Sequence, residues 1–276
     1  MLGRWFVGVT LALVLAASPA LAIEDEAHTL FNPVPDDELR PLCSDNPGFG
    51  VPPCIVDAGH FTVELTAVTA TFDSSGGVDT SNYEVADALA RVGLTEKLEA
   101  FVSWTPFNIH TEKRGGISTT SHQTGGVTLG LKQSLKNPDG AGFSVAVEPS
   151  IAIPTDGGRL SGTLALASSL QLAGGWSLGF TPELFVLPNA TASGTHIGGS
   201  AAVSLSVAVA AFDLGGELYL AEDRDPSGSI QYATANFSLS WQPPKNENLS
   251  LDVGFDFGLN AASPDFEVYI GFNRRF

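Results

Sequence analysis

The stretch "LSLDVGFDFGLN", residues 249–260, alternates without a break. Leu249, Leu251, Val253, Phe255, Phe257 and Leu259 share one parity; Ser250, Asp252, Gly254, Asp256, Gly258 and Asn260 share the other. Successive side chains of a strand point to opposite faces, so this segment is a strand with one oily and one polar face. The next segment, "FEVYIGFNRRF" at 266–276, repeats the pattern, with Phe266, Val268, Ile270, Phe272 and Phe276 opposite Glu267, Tyr269, Gly271, Asn273 and Arg275. Two environments fit such strands. In a water-soluble sheet the oily face packs on a core; in a membrane barrel it meets lipid while the polar face lines a lumen.

Working backwards, the same alternation runs through "AAVSLSVAVAA" (201–211), "RLSGTLALASSLQL" (159–172) and "GFSVAVEPSIAIP" (142–154), and more weakly through 59–72, 83–94, 96–107, 125–136, 176–187, 214–222 and 230–242. Each segment is about 10 residues long, which suits a tilted transmembrane strand, whereas strands of globular proteins average nearer five or six. Charged residues make up only 16% of the chain and glycines number 30; typical soluble domains carry about 25% charge. The connections alternate between compact turns ("GLTE", "NPDG", "AGG", "AFD", "PPKNEN") and mostly longer polar ones such as "NIHTEKRGGISTTSHQ" at 108–123. Short turns on one side and longer loops on the other are the habit of outer-membrane barrels. The reading is an all-β, up-and-down antiparallel transmembrane β-barrel of about 12 strands over residues 59–276. An even strand count puts both termini on the periplasmic side. Trp176, Trp241, Phe61 and Phe276 then form an aromatic girdle at that end, with Trp104 near the other.

The chain starts "MLGRWFVGVTLALVLAASPALA", with Arg4, an apolar run and the small-x-small ending Ala20-Leu21-Ala22. Residues 1–22 are therefore expected to be a cleaved signal peptide, the apolar run being too short for a spanning helix. Residues 23–58, rich in proline and acids and without periodicity, read as an irregular periplasmic segment, which the sequence alone places neither inside nor outside the lumen. It holds both cysteines, Cys43 and Cys54, in "CSDNPGFGVPPC". Export to an oxidising compartment predicts a disulfide between them, and no further ligands stand near enough for a metal site. The net charge of −17 argues against nucleic acid as a partner.

Three segments resemble the outer-membrane β-barrel transporter family of the meta-pathway of phenol degradation. "DAGHFTVEL" (57–65) resembles its first strand. "ARVGLTEKLEAFVSW" (90–104) resembles its Arg-x-Gly-Leu-Thr, Glu hairpin through Arg91, Gly93, Leu94, Thr95 and Glu99. "VEPSIAIPTDG" (147–157) resembles its Pro-Thr-Gly strand end through Pro154 and Thr155. Phe101 departs from the pattern, standing where relatives often have a polar residue. The resemblance implies uptake of small aromatic molecules, by association with the pathway. Barrels of this kind also resemble one another in closing on a C-terminal aromatic strand, here ending at Phe276, that the insertion machinery recognises. Arg274 departs from that strand's pattern, and at a rim its guanidinium can reach the headgroups.

By parity, Glu64, Asp87, Glu99, Glu148, Glu183, Glu217, Asp252, Asp256 and Glu267 point into the lumen with Arg91, Lys97, Lys132 and Arg275. A Lys or Arg facing mid-bilayer costs on the order of 2–4 kcal/mol, so the lumen is the natural place for charge. Interleaved opposite charges make either a structural network or a polar track. Ala and Gly between them leave space, and twelve strands fall between filled eight-strand barrels and open sixteen-strand porins. The leading function is passive transport of small, aromatic or hydrophobic molecules. The alternatives are a non-conducting structural or interaction barrel, and an outer-membrane lipid-modifying enzyme. The last needs Ser and His together on the lipid face, but His196 and Ser200 in "THIGGS" face inward by parity. "DRDPSG" (223–228) imitates half a calcium loop, yet Thr234 stands where the twelfth-position Glu belongs. No cofactor, metal or catalytic residue is assigned. The expected partners are outer-membrane lipid, lipopolysaccharide, the insertion machinery and a small-molecule cargo.

Overall fold

The computed structural model describes residues 28–191 and 193–276; the expected signal peptide lies outside the described residues. Fourteen strands follow in order: β1 (Phe61–Ser75), β2 (Val78–Thr95), β3 (Leu98–Trp104), β4 (Phe107–Arg114), β5 (Ile117–Gln123), β6 (Val127–Lys136), β7 (Phe143–Ile153), β8 (Ser161–Gln171), β9 (Trp176–Pro188), β10 (Thr195–Val209), β11 (Phe212–Asp225), β12 (Gly228–Trp241), β13 (Leu249–Gly258) and β14 (Phe266–Arg275). All pairings are antiparallel, and β1 bonds to both β2 and β14, closing the sheet. Closure leaves no open edge, the condition for a sheet to cross hydrocarbon. The seam is sealed at the end where the chain enters: Phe61 and Phe276 exchange backbone hydrogen bonds and stack with ring centroids 4.8 Å apart. The Arg274 guanidinium lies over the Phe276 ring.

The wall contains 12 of these strands. The other two, β4 and β5, are a correction to the sequence reading, which expects 108–123 to be a loop. β3 breaks at Thr105-Pro106 and continues as β4, and β5 breaks at 124–126 before β6. β2 is long enough to pair with β3 along its lower half and with β4 along its upper half. The β4–β5 hairpin thus rises above the wall, turning on Gly115 and Gly116, both at positive φ. "DSSGGVDTSN" closes the same way on Gly76 and Gly77, because two successive left-handed residues match the strand twist and glycine takes them without strain.

Hydrophobicity is inverted. Leu164, Leu184, Leu218, Phe237, Phe255 and Ile270 stand on the outer surface, while Glu64, Glu99 and Lys132 have no solvent exposure. An apolar exterior this large is solvated by hydrocarbon, not water. Phe61, Phe143, Trp176, Phe212, Trp241 and Phe276 are exposed at the end where β1 begins and β14 finishes, as a girdle requires.

Candidate functional site: the lumen

Residues 28–58 carry no strand, but they do not stay outside the barrel. The chain crosses β2 at Gly93, where a β-carbon would run into the Asp57 carbonyl. Glycine there is a requirement of close backbone approach. Arg40 and Arg275 both hold the Asp57 carboxylate, through Nε at 2.6 Å and Nη1 at 3.1 Å. From there residues 42–54 loop into the lumen, and the Cys43–Cys54 disulfide ties the two legs of the loop together.

The base of the loop sits on a buried charge network. Arg91 on β2 reaches Glu64 on β1 (Nη1, 2.8 Å), Glu99 on β3 (Nε, 2.8 Å) and Asp45 of the loop (Nη1, 3.1 Å). Lys132 on β6 reaches Asp45 (2.7 Å) and Glu148 on β7 (3.1 Å). The carboxylates also grip the loop backbone: Glu64 accepts from the Asp45 and Asn46 amides, and Glu99 from the Val56 amide at 2.6 Å. Arg91 donates to the Cys43 carbonyl at 3.2 Å. Burial works against charge on Asp45, but Arg91 and Lys132 outweigh it and hold its carboxyl below the usual range.

The tip of the loop is held by β11 and β9. Glu217 accepts from the Phe49 amide (2.7 Å) and the Gly50 amide (3.0 Å), and Thr181 donates to the Val51 carbonyl (3.0 Å). Phe49 stacks on Tyr219 at 4.5 Å, with planes 17° apart.

Space remains on both sides of that tip. Towards the end where β1 begins and β14 finishes, a cavity of about 430 Å³ runs between the loop and a serine-rich wall including Ser177, Ser204, Ser206, Ser238 and Ser240. Towards the other end a cavity of about 370 Å³ is walled by Phe49, Phe185, Leu187, Tyr219 and Tyr232. Beside it lies one of about 200 Å³ that includes Glu84, Asp87, Asp256, Glu267 and Tyr269.

The structure therefore brings Arg91, Glu99, Lys132 and Glu148 together, and puts Glu217 under the loop tip. Glu183 accepts from Ser200, Asp252 from Ser250 and Asn273, and Asp256 from Asn236. Lys97 is a correction. It lies in the β2–β3 turn, exposed, because the strand ends at Thr95 before parity can turn it inward. His196 bonds Asp223 (2.7 Å) and Asn189 (3.1 Å), while Ser200 donates to Glu183, so the two are not partners.

Parity misses Glu84, three residues from Asp87 and so nominally on the opposite face. Ala86 takes a positive φ of 60°, the β1–β2 ladder passes over one residue on each strand between Thr66↔Asp87 and Val68↔Val85, β1 slips by one residue against β14 at the same place, and both acids end inside. A bulge of this kind re-aims side chains. The sequence reading puts Tyr269 on the polar face of its strand, and it lies in the lumen; Tyr219, which shares parity with Glu217, is missed. Tyr269 lies across Gly254, where any β-carbon would collide with its ring, and accepts from Asn236 at 3.1 Å.

The disulfide closes a loop with a sequence separation of 11, for which chain-entropy arguments give about 3 kcal/mol. Cys43→Ser with Cys54→Ser should leave the heat-modifiable barrel intact and expose 42–54 to limited proteolysis. Equal protease resistance with and without the bridge would show that the charge network alone holds the loop.

Residues 44–276 match the sequence model of a family described as "Putative MetA-pathway of phenol degradation". Among curated proteins no sequence matches the chain. Of solved structures, an outer-membrane channel from Pseudomonas putida F1 is similar at TM-score 0.55 and 11% identity, over 79% of this chain and 94% of that one. The β-domain of the Bordetella autotransporter BrkA is similar at TM-score 0.50 and 9% identity, over 79% and 98%. These likenesses are of fold.

Proposed function

The chain belongs to that phenol-degradation family, and from this premise we propose that it is an outer-membrane channel for passive passage of small molecules, aromatic ones among them. The observation that carries the reading is the pair of cavities separated by a loop tip. The tip is held by Glu217, Thr181 and a ring stack, contacts far easier to exchange than the buried network at its base. A tip that yields while its base stays anchored joins the two spaces into one path. The fold likeness to an outer-membrane channel supports the location. Both termini would then face the periplasm, with an exported, signal-cleaved chain inserted through its C-terminal strand, and lipopolysaccharide would surround the outer rim.

Inward acids outnumber inward bases, so the open state favours cations, since carboxylates at close range repel anions. In planar bilayers under a salt gradient, discrete openings with a cation-selective reversal potential are expected. Glu217→Gln, which weakens the grip on the tip, should raise the open fraction severalfold. The non-conducting structural barrel draws on the inserted loop itself. Silence in bilayers and no liposome uptake of phenol-like solutes, even after deletion of 23–58, would establish that reading instead.

A further inference from the structure

The two halves of the lumen treat their acids differently. At the base of the loop, Asp45, Glu64, Glu99 and Glu148 are matched by Arg91 and Lys132. In the outer half, Glu84, Asp87, Asp256 and Glu267 have no cationic partner: their hydrogen bonds come from neutral groups, and Asp256 and Glu267 also meet each other side chain to side chain. Glu84 accepts from Asn108 (3.2 Å), Asp87 from Thr105 (2.8 Å), Asp256 from Asn236 (2.6 Å) and Glu267 from Thr71 (2.6 Å). Among the described residues none of these four forms an ion pair. Asp256 and Glu267 face each other in register across β13 and β14. Neither outer cavity has a Lys, Arg or His in its wall; the two further acids of the larger, Glu222 and Asp223, are occupied by Arg224 and His196.

Acids alone would make a solvated mouth. Here Asp256 and Glu267 border a cavity whose wall also holds four aromatic rings, Phe49 stacked on Tyr219, with Phe185 and Tyr232, while Glu84 and Asp87 line the adjoining space with Tyr269. Half-desolvated carboxylates without a base favour entry of a cation, and aromatic faces attract organic cations through their quadrupoles. A metal ion must shed tightly held water before it can use the rings, and a neutral aromatic leaves the charge of the acids unmatched. A volume of about 370 Å³ suits one small molecule. We propose that the outer lumen is a binding site for small organic ammonium ions that carry an aromatic ring. This deepens the channel reading, on which it rests for the ligand's onward route.

The test is calorimetry on the full-length protein in detergent with benzylammonium, benzyl alcohol, benzoate and potassium ion as probes. Benzylammonium should bind at least tenfold more tightly than benzyl alcohol, resist competition by equimolar potassium, and leave benzoate unbound. Asp256→Asn with Glu267→Gln should bring benzylammonium to within a few-fold of benzyl alcohol. Should that variant not fold, Glu84→Gln with Asp87→Asn should move the same ratio in the same direction. Tyr219→Ala should weaken both ring-bearing ligands. Equal affinity for benzylammonium and benzyl alcohol, or displacement by equimolar potassium, would overturn the proposal. Binding without conductance would sink the channel and keep the site; conductance without benzylammonium binding would do the reverse.

Discussion

Arg91→Met is expected to destabilise the barrel by about 3–5 kcal/mol, the range found when one partner is removed from a buried ion network. The side chain has no solvent exposure and sits among three carboxylates, Asp45, Glu64 and Glu99. Two of these are themselves fully buried. Without the guanidinium they are left with Lys132, which reaches Asp45 closely but Glu99 only at 3.8 Å. The loop is lost in the same step, because Arg91 also holds the Cys43 carbonyl. Denaturant titration followed by heat-modifiable gel mobility reads the stability, and limited proteolysis of 42–54 reads the loop. Adding Glu99→Gln should recover part of the loss, since one uncompensated charge goes with it. A stable Arg91→Met protein with a protected loop would mean that the lumen is wet enough to solvate these acids, and the network would lose its structural role.

Phe255→Arg should cost about 2–4 kcal/mol in folding into a bilayer, because it places a charge against hydrocarbon. Phe255 is on the outer surface of β13, in contact range of Phe266. Asp256, the next residue, is buried on the lumen side and bonded to Asn236. Asp256→Asn keeps size and shape and should leave insertion within about 1 kcal/mol, the net worth of an ordinary hydrogen bond. Folding yield into lipid vesicles across a urea series separates the two. Equal losses at both positions would contradict the two-faced wall on which the whole lumen assignment stands.

The wall was legible in the residues alone. Alternation of Leu249 to Asn260 and of its counterparts specifies strand, face and approximate number, because side-chain direction in a strand depends only on position along it. Cys43 and Cys54 pair for want of any other partner. Arg91 and Glu99 stand in one hairpin, and their meeting needs only the turn between them. The rest required contacts between distant parts of the chain. Nothing near Asp45 or Phe49 tells that they end against Lys132 and Tyr219, since the loop's place is set by a glycine on another strand, Gly93, that lets it past. Glu84 joins Asp87 only through the backbone skip at Ala86, and Lys97 leaves the lumen because a strand ends two residues early. Local period determines which way a side chain points while the strand stays regular; bulges, strand ends and inserted segments are decided by the closed sheet, whose register must be satisfied all the way round.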